Sequence, residues 1–138
     1  MKLFTRGWTP VRSGVLYVND RFLTRREVDH LLRMDHAFRD SVVDDNQGTP
    51  RHETYRSSQS APARQDATVT RIMQRAAETL GVLHDRVEPP QIVRYSGAHD
   101  RFEVHHDNGT LMSDGSIQQA GEPRRTHTIF CYLQSPEE

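Results

Sequence analysis

Residues 94–107 read RYSGAHDRFEVHHD, and residues 125–133 read RTHTIFCYL. The segment RFEVHHD has the composition of a β-strand running into a loop, because Phe102 and Val104 alternate with charged neighbours and Asp107 opens the turn-forming DNGT. Successive side chains on a strand point to opposite faces, so His105 and Asp107 share a face and His106 takes the other. An imidazole and a carboxylate side by side on a sheet supply two thirds of a 2-His-1-carboxylate iron site. The triplet alone is weak. With eight His and 11 Asp in 138 residues, about 0.6 His-x-Asp triplets are expected by chance. Read blandly, the pair is a polar strand end followed by a turn.

Context raises the motif above that level. Tyr95, Gly97, Phe102, His105 and Asp107, then Arg125, Thr128 and Tyr132, stand at the spacing Tyr-x-Gly, aromatic, His-x-Asp and later Arg-x-x-Thr-x-x-x-Tyr-Leu. That register resembles the prolyl 4-hydroxylase branch of the Fe(II)/2-oxoglutarate dioxygenases. The resemblance extends upstream more weakly. YVNDRFLTRREVDHLL, residues 17–32, resembles the opening strand and first helix of the family, and Arg56-Ser57-Ser58 its Arg-x-Ser segment.

The resemblance implies His105 and Asp107 as metal ligands. It implies Tyr95, Tyr132 and Thr128 as contacts to 2-oxoglutarate, and Arg125 and His99 as residues of the pocket or its rim. The implied cofactors are Fe(II), 2-oxoglutarate and O2, with ascorbate as reductant. The implied reaction hydroxylates a C–H bond of a peptidyl (prolyl-type) or small-molecule substrate and releases succinate and CO2. By strict alternation Arg125 faces away from Thr128, so a bulge or a structural role is the alternative for it. His127 falls on that opposite face too, which argues against it as a further ligand. The bland reading of Tyr95 and Tyr132 is a pair of half-buried strand tyrosines.

In the family, a second His ligand and a basic residue for the far carboxylate of 2-oxoglutarate come after a Gly-Gly-x-Thr strand, later than Ser135-Pro136-Glu137-Glu138. The expectation is therefore a single domain over residues 1–138 that forms the N-terminal portion of a catalytic domain. Its fold class would be α+β, with N-terminal helices packed on an incomplete double-stranded β-helix of jelly-roll type. Self-association through an exposed sheet edge follows from such an incomplete sheet. Two alternatives stay open: a degenerate, non-catalytic binding module on the same scaffold, and an interaction domain whose His-His-Asp is coincidental.

Composition narrows the field further. Net charge is -1 from 18 basic and 19 acidic residues without a Lys/Arg block, so the electrostatic footprint of a nucleic-acid binder is missing. Cys131 is the one cysteine, which excludes an internal disulfide framework and fits a reducing, cytoplasmic setting. No run approaches the length of a membrane span, and mean hydropathy is -0.79.

Local patterns predict the remaining elements. A strand is expected over residues 15–22, then a helix over 25–36 opened by the capping-box spacing of Thr24 and Glu27. Short strands are expected at 41–43 and 53–57. The clearest helix should run from an Asp66 N-cap to Leu80, with Val69, Ile72, Met73, Ala76, Ala77 and Leu80 as its core stripe and Gly81 just beyond. Residues 91–95 should form a strand, residues 96–100 a turn and residues 101–106 the return strand. A long surface loop is expected over residues 108–123 and a last strand over residues 124–134.

Overall fold

A computed structural model describes residues 7–12, 14–41, 43–44, 50–51, 56–102, 105, 107, 109–111, 114–119 and 124–135. Helices and short antiparallel strands give the mixed α+β class, and the chain divides into two compact units. The first is Met1–His36, Ala63–Pro90 and Ile129–Glu138; the second is Ala37–Pro62 and Gln91–Thr128.

In the first unit, helix α1 (Arg25–Arg33) begins where the capping box puts it. The Glu27 N–H donates to Thr24 Oγ1 at 3.3 Å and the Thr24 N–H donates to Glu27 Oε2 at 2.8 Å. It ends earlier than residue 36, because the His36 ring nitrogen donates to the Leu31 carbonyl at 2.7 Å from outside the helix, satisfying an acceptor that the missing turn leaves open.

Helix α2 (Ala67–Leu80) matches its expected bounds at both ends. Asp66 Oδ1 accepts the Thr68 and Val69 N–H groups at 2.8 and 3.0 Å. Gly81 closes the helix at φ 66°, a left-handed conformation that costs other residues strain. The Val82 N–H then reaches back to the Ala77 carbonyl at 3.0 Å. Val69, Ile72, Met73, Ala76 and Ala77 are buried, as are Phe22, Leu31, Met34 and Ala63.

Glu27 is buried as well, and Arg75 of α2 meets it fork to fork. Arg75 Nη2 lies 2.6 Å from Oε1 and Nη1 3.0 Å from Oε2, while Nη1 also donates to the Phe22 carbonyl at 2.6 Å. The Arg75 hydrogen bonds hold the Glu27 carboxyl at about 2, against the opposing effect of burial. Ahead of α1, strand β1 (Thr9–Arg12) pairs antiparallel with β2 (Leu16–Val18), so the strand expected over residues 15–22 is shorter than its pattern.

The second unit holds a three-stranded antiparallel sheet in the order β3 (Arg39–Asp40), β6 (Gln59–Pro62), β7 (Gln91–Arg94). Its register pairs Gln59 with Arg94 and Asp40 with Gln59. The amide of Gln59 ties the three strands, donating to Asp40 Oδ1 at 3.1 Å and accepting from Arg94 Nη2 at 2.5 Å. Strand β4 (Val43–Asp44) pairs antiparallel with β5 (Pro50–Arg51). Val43 of the strand expected at 41–43 lies in β4, while residue 42 and residues 53–55 of the strand expected at 53–57 lie outside the described residues. Ser41 is instead buried beside Ser58, whose hydroxyl donates to Ser41 Oγ at 3.2 Å.

Two further expectations are corrected. Within the expected loop, β8 (Gly109–Leu111) pairs with β9 (Ile117–Gln119). The Asp114-Gly115 turn makes this possible: Gly115 sits at φ 83°, and Asp114 Oδ1 accepts the Ser116 N–H at 2.9 Å. The expected last strand over residues 124–134 is not formed, since residues 124–135 join no ladder with any described residue. Alternation gives a segment two faces but supplies no neighbour to bond with, and a strand exists only in pairs. No helix among the described residues is long and apolar enough to cross a membrane.

Candidate functional site

The turn after β7 is built by one carboxylate. Asp100 Oδ2 accepts the Ser96 N–H at 2.6 Å and the Gly97 N–H at 2.9 Å, and the Asp100 N–H bonds the Gly97 carbonyl at 3.0 Å. Those two backbone donors hold the Asp100 carboxyl below the usual carboxylate range. The chain leaves this turn toward residues 56–57, where a return strand paired with β7 was expected. Ser57 donates its N–H to the Arg101 carbonyl at 2.9 Å, the Arg101 N–H donates to Ser57 Oγ at 2.9 Å, and Phe102 bridges Arg56 in antiparallel sense. The connection is short-range in space and long in sequence.

Phe102 then organises what surrounds it. Its ring stacks on the His105 imidazole with centroids 3.7 Å apart and planes 19° apart. The Arg56 guanidinium carbon lies 4.4 Å from the Phe102 centroid. Arg56 Nε is spent on Ser58 Oγ at 2.8 Å. Burial pulls the Arg56 guanidinium below the usual arginine range, offset in part by the nearby Tyr95.

His105 Nε2 lies 3.1 Å from Asp107 Oδ1, with both side chains about two fifths exposed at 43% and 40%. The other carboxylate oxygen, Oδ2, accepts a hydrogen bond from the Thr128 hydroxyl. Thus the structure brings together His105, Asp107 and Thr128, three of the residues singled out in the sequence. Such a bond from Thr128 fixes the carboxylate plane and leaves Oδ1 turned to the imidazole.

The spacing of the two donor atoms can be tested against a shared cation. Two ligands each about 2.1 Å from a metal and at a right angle to one another lie about 3.0 Å apart. The 3.1 Å between Nε2 and Oδ1 fits that bite. Among the described residues, no group of three or more His, Cys, Asp and Glu side chains is arranged to hold a metal ion. His106 lies outside the described residues.

Other sequence-predicted residues fall as follows. Tyr95 is 44% exposed, close enough to Arg56 for the effect noted above. His99 is exposed in the turn held by Asp100. Arg125 is exposed, and His127 Nδ1 lies 3.0 Å from Thr126 Oγ1. Tyr132 belongs to the first unit, where it is 86% exposed and packs edge-on to Phe130 with centroids 5.0 Å apart. Half-burial, the bland reading of Tyr132, is therefore incorrect.

Sequence reasoning gave Arg56 no part in the site. Its signal was present in Arg56-Ser57-Ser58, but which aromatic ring the guanidinium would cover depends on a pairing across 46 residues, from 56 to 102. No protein-family model matches the chain, and neither the curated proteins nor the solved structures contain a match to it.

Proposed function

We propose that the chain is part of an Fe(II)- and 2-oxoglutarate-dependent dioxygenase of prolyl 4-hydroxylase type, working in the cytoplasm, with its sheets belonging to a double-stranded β-helix. The observation that carries this reading is the His105–Asp107 pair, whose donor atoms are 3.1 Å apart. Its support from the sequence is the register of Tyr95, Gly97, Phe102, Arg125, Thr128 and Tyr132 around that pair.

In this reading His105 Nε2 and Asp107 Oδ1 hold the iron. When bound, Fe(II) with 2-oxoglutarate and O2 supplies the oxidising power to hydroxylate an unactivated C–H bond, releasing succinate and CO2, with ascorbate as reductant. The protein's own contribution is positional. Phe102 fixes the plane of the His105 ring by stacking, and the Thr128 hydroxyl fixes that of the Asp107 carboxylate. The Tyr95 hydroxyl contacts 2-oxoglutarate. His99 and Arg125 border the opening to a peptide or small-molecule substrate.

Mn(II) is a convenient surrogate for Fe(II), and its binding is read by paramagnetic resonance of the free ion. His105→Ala and Asp107→Ala are each expected to weaken Mn(II) binding at least tenfold relative to the unsubstituted chain. Equal affinities in all three proteins would refute the assignment. A non-catalytic binding module on the same scaffold, the second reading, takes its support from the two donors, His105 and Asp107, found together among the described residues, and it is distinguished by Mn(II) binding without 2-oxoglutarate-dependent succinate formation.

A further inference from the structure

The β1–β2 hairpin carries aliphatic side chains around its turn. The Val15 N–H donates to the Arg12 carbonyl at 2.9 Å, the Gly14 N–H donates to the Tyr17 hydroxyl at 3.0 Å, and Gly14 takes φ 74°. About this closure Val11 is 64% exposed, Val15 71% and Leu16 51%. Val18, farther along β2, is exposed as well. Turns are ordinarily built from Gly, Pro, Asn, Asp and Ser, as the polar Asp114-Gly115-Ser116 turn between β8 and β9 is. Aliphatic side chains grouped on a surface, unlike single ones, mark an interaction site.

Register gathers these side chains about a cation. Arg12 pairs with Leu16 and Thr9 with Val18, and cross-strand partners share a face, so Arg12, Leu16 and Val18 lie on one side of the hairpin. The shift of register between Pro10 and Arg12 is a bulge that leaves Val11 unmatched across the strands. At the base, Trp8 packs against the buried Phe22 with ring centroids 5.7 Å apart, which ties the hairpin to the core. The tip is clear: a Cβ on Gly14 would meet nothing within 4 Å among the described residues.

Charge says what covers such a tip. Lys2, Arg6 and Arg12 are the charged side chains of positions 1–19, in a chain whose net charge is -1. The first carboxylate is Asp20, and Arg21 follows it directly. Arg12 and Arg21 are both exposed. Aliphatic side chains flanked by cations, with no carboxylate among them, match a bilayer surface that contains anionic phospholipid. The aliphatic groups leave water for the boundary between headgroups and acyl chains, and the guanidinium meets the phosphates. A second copy seated on the same face across a two-fold axis would instead set Arg12 against Arg12, a like-charge contact that opposes pairing.

We propose that the β1–β2 hairpin docks this chain reversibly on an anionic phospholipid surface, with Val11, Val15 and Leu16 inserted and Arg12 on lipid phosphate. The hairpin shares no residue with the His105–Asp107 pair, so surface attachment stands or falls separately from the dioxygenase reading. Three short side chains bind weakly by themselves and need the attraction of charge, which makes attachment sensitive to salt.

The test is co-sedimentation of the full chain with vesicles of phosphatidylcholine alone and of phosphatidylcholine with about a third of phosphatidylserine. The unsubstituted chain should bind the second set at least about tenfold more strongly, and about 1 M salt should remove most of that preference. Val15→Asp and Leu16→Asp should each weaken binding to the phosphatidylserine vesicles about tenfold, and Arg12→Glu should erase the preference between the two sets. All three positions are exposed, so the urea midpoint should not move. Leu83→Asp, at an exposed leucine outside the hairpin, should bind as the unsubstituted chain does. Absence of binding, equal binding to both vesicle sets, undiminished binding in Val15→Asp, or an equal loss in Leu83→Asp overturns the proposal. So does a concentration-dependent dimer that Val15→Asp converts to monomer, which would make a second copy the occupant of the tip.

Discussion

Replacing Glu27 by Gln should destabilise the first unit by about 3 kcal/mol at pH 7, and most of that difference should vanish in acid. The carboxylate is buried, receives both Arg75 nitrogens at 2.6 and 3.0 Å and caps α1 through the Thr24 N–H at 2.8 Å. Gln has the same shape but presents an NH2 group where one of these donors expects an acceptor. Two routes give the size of the effect. Removing one member of a buried ion pair costs about 3 to 5 kcal/mol. A carboxyl lowered from 4.5 to about 2 stabilises the folded state by about 3 kcal/mol at 1.36 kcal/mol per pKa unit. Because the folded value is the depressed one, this stability is full above about pH 5 and is lost as pH falls toward 2. At pH 3 about 1.4 kcal/mol of it should remain. Urea unfolding followed by helical circular dichroism, at pH 7 and pH 3, measures both values. A Glu27→Gln protein within about 0.5 kcal/mol of the original at pH 7, or a gap that is the same at both pH values, would refute the reasoning. Arg75→Met should cost as much, and the double substitution less than the sum of the two.

Gly81→Ala should lower the stability of the first unit by about 1 kcal/mol in the same urea assay. A Cβ there meets nothing within 4 Å, so the cost is that of holding φ at 66° alone, and Gly81→Asn should cost less; an unchanged midpoint would show that α2 ends differently. Cys131 should react with iodoacetamide at pH 7.5 more slowly than a free thiol of ordinary pKa, because burial pushes its thiol up. Labelling rates measured from pH 7 to 10 check this, and a rate at pH 7.5 equal to that of free cysteine would contradict it.

The helices were legible from residue order alone. The capping box of Thr24 and Glu27, the Asp66 N-cap, the apolar stripe from Val69 to Ala77 and Gly81 all act within a few residues of one another, so their spacing carries the physics. The proximity of His105 to Asp107 was expected from alternation along a strand; neither residue is in a strand, and the two meet across one intervening residue. Strand pairing was not legible. The regular alternation of residues 124–134 describes a segment able to be a strand, yet bonding needs a neighbour that no local pattern specifies, while Asp114-Gly115 closed a hairpin inside an apparent loop. Only the tertiary structure decided that Arg75 would answer Glu27 across 48 residues, that Thr128 would hold Asp107 across 21, and that Arg56 would cover the ring stacked on His105. Each of these depends on two distant segments meeting in three dimensions, where burial and charge select the partner, and sequence spacing contains no term for that encounter.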